Sequence, residues 1–332
     1  MTNGLTEKFR GKSVFITGAG GFIASRLIDA LMNCQCEIHG LFYSPAPKNA
    51  DVFQQTQESR IIRPGKLYRH KGDIMNKKGM RKIILETRPD FIFHLAAITE
   101  KGEDPDLINR TMDTNFGGTF NLLQALSGIK FAKLVFLGSG EEYGDNRAPF
   151  NEQQAVRPLS PYSLSKAAAE DICFAFSKAF GYPLVILRPS VVYGPGQKSR
   201  MFIPSLLDAL TKNQPFRMTK GDQKRDFVYI DDLIEAILAA AIKPVTGERI
   251  NIGSGKSYSL KRAAAIAQKI SGSKSSISFD LPYRQTEIMN YLFDISKAAK
   301  LLGWRPRYSL EKGLKKIIKG EKIHGRTVVR LS

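Results

Sequence analysis

Residues 14–17 (Val-Phe-Ile-Thr) are a short β-branched and aromatic run. After a glycine-rich interval, apolar side chains return at helical spacing from Phe22 to Leu31. The first pattern predicts a buried strand and the second an amphipathic helix. The alternation continues along the chain. Strands are expected over residues 37–42, 67–72, 90–97, 133–137, 183–187 and 249–252, and helices over 77–87, 113–126, 201–210 and 231–241. A further helix opens at Ser160, the N-cap, with Pro161 in its first turn. Residues 90–97 are apolar almost throughout, the composition of a parallel strand covered on both faces. Strands alternating with helices at this spacing predict an α/β fold with a doubly wound parallel sheet, whose ligands bind at the carboxyl ends of the strands. Gly18, Ala97 and Ser139 all fall at such ends.

The interval between the first strand and helix carries the first candidate chemistry. Gly18 and Gly21 permit a tight turn and a close backbone approach to a pyrophosphate, which would rest on the free amides at the start of the Phe22 helix. The spacing is Gly-x-x-Gly-x-x-Ala, with Ala24 in the third place. At the end of the second strand, where an acidic residue would bind the ribose of NAD, the chain reads Tyr43-Ser44-Pro45-Ala46-Pro47-Lys48. Ser44 and Lys48 suit a 2′-phosphate, so NADP is favoured over NAD. Asp73 and Ile74 follow the third strand, where Asp73 either meets an adenine amino group or caps the next helix. Leu95, Ala96 and Ala97 are small enough for a dinucleotide to lie against them.

Tyr162 and Lys166 stand one helical turn apart on one face. A neighbouring ammonium would stabilise the phenolate and pull the tyrosine below its usual value, fitting it for acid or base work. Ser139 would add a hydrogen bond to a substrate oxygen.

Composition narrows the setting. The chain has 332 residues, of which 42% are hydrophobic, with a formal charge of +19 that would attract anionic ligands. The basic residues form no stripe interleaved with aromatics, so no specific nucleic-acid partner is expected. No apolar run is long enough to span a bilayer, and three cysteines fit a reducing, cytoplasmic compartment. Cys34, Cys36 and His39 lie in one extended run and lack a fourth ligand, so buried thiols are expected there and no metal.

Taken together, these stretches resemble the extended short-chain dehydrogenase/reductases, in the branch of nucleotide-sugar epimerases, dehydratases and reductases. The resemblance runs from about Lys12 to Leu314. It rests on residues 17–23 (Thr-Gly-Ala-Gly-Gly-Phe-Ile), 94–97 (His-Leu-Ala-Ala), 115–119 (Asn-Phe-Gly-Gly-Thr), Tyr162 with Lys166, Arg188-Pro189, 193–196 (Tyr-Gly-Pro-Gly), 225–232 and 302–304 (Leu-Gly-Trp). It implies a Rossmann-type domain of residues 1–189 and 225–253, a smaller discontinuous substrate lobe of 190–224 and 254–319, and a tail. Tyr162 is then the acid/base, Lys166 holds the nicotinamide ribose, and Ser139 binds the reacting sugar oxygen. Gly18, Gly21, Phe22 and Ile23 line the pyrophosphate site, Asp73 and Ile74 the adenine, with Ser44, Leu95, Ala96, Ala97 and Asn115 further along the cofactor. Arg225 and Arg284 match positions that grip the diphosphate and nucleoside. Many relatives carry Phe-Asn after the Arg-Pro, where this chain has Ser190-Val191. A homodimer through the 113–126 and Tyr162 helices is also implied.

Three reactions share hydride transfer at a sugar carbon. Glu141, two residues after Ser139, matches the carboxylate with which 4,6-dehydratases remove the C5 proton, but Gly140 offers no acid for the leaving hydroxyl. The run 138–144 (Gly-Ser-Gly-Glu-Glu-Tyr-Gly) is more similar to 4-keto-6-deoxy-sugar reductases. Reduction of a nucleotide-linked 4-keto sugar is therefore placed first, 4-epimerisation second and dehydration third, with a non-catalytic NADP-binding regulator as the reading from another class.

Overall fold

The computed structural model describes residues 2–43, 64–197 and 199–320. Seven strands form the main sheet: β1 (Ser13–Thr17), β2 (Glu37–Phe42), β3 (Lys66–Lys71), β4 (Phe91–His94), β5 (Lys133–Leu137), β6 (Leu184–Pro189) and β10 (Glu248–Ile252). Their order is β10-β6-β5-β4-β1-β2-β3, and every neighbouring pair is parallel. This is the doubly wound topology, with the order reversing beside β1.

Alternate residues along each strand enter different cores. Val14, Ile16, Val135, Leu137, Val185 and Leu187 pack on one face with the helices Phe22–Leu31 and Ile230–Ile242. Phe15, Ile92, Leu134, Phe136 and Ile186 pack on the other, under the helices Lys77–Thr87, Gly118–Ala125 and Pro161–Phe180. Both faces are covered, which explains the near-continuous apolar strands.

Two differences from the expected elements matter. The expected 113–126 helix starts earlier, at Pro105, where Asp104 accepts from the amides of Asp106 and Leu107. It is then interrupted by a π-helical turn, Asp113–Gly117, before resuming at Gly118. Helix Lys77–Thr87 is capped by Asn76, which accepts from the Gly79 amide. Asp73 instead accepts from the amide of Met75.

Beyond β6 the chain builds a smaller unit. β7 (Val191–Tyr193), β9 (Lys224–Tyr229) and β11 (Ser257–Ser259) form one sheet, and β8 (Phe216–Thr219) pairs with β12 (Ile277–Leu281). Asp226 ties it together. Fully buried, it accepts from the amides of Ser254 and Gly255 and from that of Phe293. Trp304 donates its indole N–H to the carbonyl of Asp232 at 2.9 Å, anchoring the 302–304 turn to the helix Ile230–Ile242. Among the described residues, no helix is long and apolar enough to cross a membrane.

Candidate active site

The register of the sheet brings the expected residues together. Thr17 pairs with His94, His94 with Phe136, and Leu137 with Leu187, so β1, β4, β5 and β6 end level and their following residues share one crevice. Gly18 has φ +67°, and a Cβ on it would stand 2.7 Å from Ala96 Cα. The turn and the small residues after β4 are thus in van der Waals contact, and only glycine fits between them. Gly21 precedes the Phe22–Leu31 helix, whose first amides lack intrahelical acceptors and form a ready anion site. Ala24 takes the third glycine's place and is buried in the core beneath the turn. Free amides and a positive helix end suit a dinucleotide pyrophosphate.

A chain of hydrogen bonds braces this crevice. Thr17 Oγ1 accepts from the amides of Leu95 and Ala96, each at 3.1 Å, so its own proton points to His94 Nδ1 at 2.7 Å. His94 Nε2–H then donates to Thr119 Oγ1 at 2.8 Å, and Thr119 donates to the Asn115 carbonyl. Burial pushes His94 down to about 3, so the ring is neutral and suited to this relay of bonds. Asn115 is itself buried. Its Oδ1 accepts from the Ile98 amide at 2.8 Å, and its Nδ2 donates to the Ile98 carbonyl and to Ser165 Oγ. It therefore clamps the loop after β4 to the helix that carries Tyr162.

Ser139 caps a short 3₁₀ turn, Gly140–Tyr143, directly after β5, and its Oγ accepts from the Glu141 amide at 3.2 Å. Helix Pro161–Phe180 carries both Tyr162 and Lys166, and the Ser139 hydroxyl lies close enough to the Tyr162 phenol to act on it. The expectation for Tyr162 needs correction. Burial and then the Glu141 carboxylate push the phenol up from its usual value, with the Ser139 hydroxyl opposing them. The Lys166 ammonium lies over the Phe136 ring, 4.3 Å from its centroid. Burial brings Lys166 down to about 8, against the pull of Glu142, Cys173 and Glu170.

Glu141 is partly exposed and receives a hydrogen bond from Lys101 Nζ at 2.7 Å. Lys101 gave no signal in the sequence, since it sits in an irregular loop and only the fold brings it to Glu141. Gly140 is enclosed: a Cβ there would stand 2.1 Å from Phe293 Cζ and 2.4 Å from the Tyr291 hydroxyl. Those two rings belong to an aromatic cluster with Tyr143 and Phe150.

The remaining expected residues lie farther out. Arg225 donates to the carbonyls of Lys224 and Ile288 and pairs with Glu287, so in this structure its guanidinium is held by protein acceptors. Arg284 is exposed after β12. Ser190 Oγ reaches Asp226 at 3.4 Å, and Val191 is partly buried in β7. Ile74 is buried, while Ser44 and Lys48 lie outside the described residues. Cys34 and Cys36 are buried at the entry to β2, with both thiols pushed up by burial, and the nearby His39 turns instead to Tyr68 and His70.

Residues 14–253 match the model of the NAD dependent epimerase/dehydratase family. The chain belongs to that family. A putative UDP-glucose 4-epimerase of Methanocaldococcus jannaschii is 32% identical over 327 residues, 95% of this chain and 100% of that protein. The dTDP-D-glucose 4,6-dehydratase of Bos taurus is 30% identical over 92% of this chain and 88% of its own length. Among solved structures, the UDP-glucuronic acid 4-epimerase of Bacillus cereus in complex with UDP-glucuronic acid and NAD superposes with a TM-score of 0.81 at 32% identity, covering 92% of this chain and 98% of that one. The extended short-chain dehydrogenase/reductase assignment and the Rossmann-type sheet are thereby established, and the protein is an enzyme of the nucleotide-sugar-modifying type.

Proposed function

We propose that this enzyme inverts C4 of a nucleotide sugar by oxidation and re-reduction, with Tyr162 as the proton-transfer group. The observation that carries the reading is the meeting of Ser139, Tyr162 and Lys166 beside the Gly18 turn, together with the blocked position at Gly140. A bound nicotinamide supplies the hydride acceptor and donor. Tyr162 Oη takes the C4 hydroxyl proton as the carbonyl forms and returns it to the same oxygen afterwards, while Ser139 Oγ stabilises the charge that develops there. Lys166 would hold the nicotinamide ribose.

Dehydration needs an acid for the leaving hydroxyl as well as a base. Glu141 would be the base, but Phe293 and Tyr291 fill the space in which a side chain at 140 would present the acid. The relatives reported above are epimerases and a dehydratase, which moves epimerisation ahead of the reduction that the 138–144 run suggests. Net reduction is the second reading. It is favoured by the run 138–144, which is more similar to 4-keto-6-deoxy-sugar reductases. Cofactor choice follows the reaction, recycled NAD for epimerisation and NADPH for net reduction.

The substrate lobe would hold the nucleotide through Arg284 and through Arg225 once it leaves Glu287. Exposed Phe116 and Leu164, on the two helices expected to pair, fit a second copy of this chain. Three free cysteines suit a cytoplasmic setting.

The test is a panel of UDP- and dTDP-hexoses, UDP-glucuronate and 4-keto-6-deoxy nucleotide sugars, followed by proton NMR and by nicotinamide absorbance. A mixture of C4 epimers without net absorbance change is expected. Stoichiometric cofactor loss on a keto sugar would replace the reading with net reduction, and accumulation of a 4-keto-6-deoxy product would replace it with dehydration. Tyr162→Phe should lose roughly 10²–10⁴-fold in turnover while still binding dinucleotide.

A further inference from the structure

Behind the site lies a buried charge cluster to which no role has been given. Glu142, next to the partly exposed Glu141, is 0% exposed, Glu170 1% and Arg188 3%. Glu142 Oε1 accepts from the Ser139 amide at 2.7 Å. Its Oε2 receives no hydrogen bond, although Arg188 Nε is 3.3 Å away, because that N–H already donates to Glu170 Oε2 at 2.9 Å. Arg249 adds a second guanidinium to Glu170. A Cβ built on Gly138 would stand 3.1 Å from an oxygen of each carboxyl group, so the two side chains converge over that glycine.

Two adjoining buried carboxyl groups do not both ionise. Glu170 takes the charge, since Arg188 and Arg249 both serve it. The two carboxyl groups converge over Gly138, and Glu142 Oε2 is the oxygen of the pair with no donor aimed at it, so it is where the shared proton belongs. We propose that Glu142 is a positioning residue that works as a neutral acid: Oε1 fixes the Ser139 amide while Oε2 carries a proton donated to Glu170. This inference rests on Ser139 and Tyr162 performing the chemistry.

Neutrality has a purpose here. The charged groups facing Glu142 are Glu170 and Lys166 from the helix Pro161–Phe180 and Arg188 from β6. A carboxylate at 142 would draw the Lys166 ammonium to itself and away from the ribose it has to hold. A neutral acid keeps the amide of Ser139 in place without competing for that cation. Burial and Glu170 both hold the Glu142 carboxyl well above its usual range, in keeping with this assignment.

Glu142→Gln and Glu142→Leu separate the possibilities, because glutamine reproduces a neutral acceptor and donor and leucine reproduces neither. Turnover and KM for the nucleotide sugar would be measured from pH 6 to 9, well below the melting temperature, with melting curves for each protein. Glu142→Leu should lose roughly tenfold or more in kcat with KM little changed, and Glu142→Gln should restore most of it with the wild-type pH profile. A glutamine variant as poor as the leucine one, or one with a shifted alkaline limb, would show that 142 is ionised and overturn the proposal. A leucine variant with wild-type kcat would overturn it too. If the wild type converts no nucleotide sugar, the catalytic reading fails separately and melting still decides: the glutamine variant should melt with the wild type and the leucine variant below it, and a glutamine variant melting with leucine sinks the neutral acid.

Discussion

Gly140 is the position at which the described packing can be tested most directly. Gly140→Ala adds one methyl 2.1 Å from Phe293 Cζ and 2.4 Å from the Tyr291 hydroxyl, where carbon contacts normally lie at about 3.5–4.0 Å. Phe293 must therefore retreat by more than an ångström, and it has little room to do so. Its ring centroid lies 5.9 Å from Tyr143, 6.0 Å from Phe150 and 5.3 Å from Tyr291. The cost should fall in the upper part of the overpacking range, about 2–3 kcal/mol. Phe293→Ala alone should cost about 3–5 kcal/mol through the cavity it leaves. In that background the methyl at 140 enters free space and Tyr291 can tilt aside. The double variant should then be about 2 kcal/mol more stable than the sum of the single changes predicts. Urea titrations of the four proteins, followed by circular dichroism, measure this coupling. Additivity within about 0.5 kcal/mol would mean that Phe293 does not fill the space beside Gly140, and the case against an acid at that position would fall with it.

Gly18→Ala forces a side chain into φ +67° and into the Ala96 backbone, whereas Gly181→Ala meets φ +68° with nothing within 4 Å. The second change should cost only about 1–2 kcal/mol. The first should cost clearly more and should abolish stabilisation by added dinucleotide in thermal melting; equal costs would refute the close approach. His94 supplies a pH dependence. Its folded value lies near 3 against 6.5 for an unhindered ring, so the unfolded chain takes up the proton first and stability falls as pH drops below about 6.5. From about pH 6 to pH 4, wild-type stability should fall by about 1.4 kcal/mol per pH unit more than that of His94→Gln. Asp232, raised to about 6 by burial, contributes with the opposite sign in both proteins and cancels in the difference. Parallel slopes would show that the ring is not held neutral.

Periodicity made the dinucleotide-binding half legible. Helix Phe22–Leu31, β2, helix Lys77–Thr87 and β5 begin and end where the apolar pattern places them, because each element hides one face or both in a single sheet core. The pattern failed where structure depends on polar partners. Helix Pro105–Met112 buries only Leu107 and Thr111, so its start is set by the Asp104 cap rather than by a stripe. β7, β8, β11 and β12 are three to five residues long and too short to show a period. Among the site residues, Ser139, Tyr162 and Lys166 were found by spacing. Glu141 and Glu142 read alike as letters, yet one meets Lys101 near the surface and the other is sealed against Arg188. Only the fold distinguishes them. The contact of the Lys166 ammonium with Phe136 was hidden for the same reason: helical spacing fixes a face but not the far end of a long side chain.

The π-helical turn Asp113–Gly117 acts as an indexing step for the helix that follows it. Each residue advances an α-helix by about 100°, so one residue accommodated in a widened turn leaves the downstream faces where an unbroken helix one residue shorter would have put them. Leu122 and Leu123 stay in phase with the sheet, while Asn115 gains the lateral reach to hold Ile98 and Ser165. Removing one residue from 113–117 would let the helix close into regular turns without rotating its hydrophobic seam. Such a shortened chain should keep its fold and lose the latch between the β4 loop and the Tyr162 helix, so that assembly of the crevice and burial of the core become separable properties.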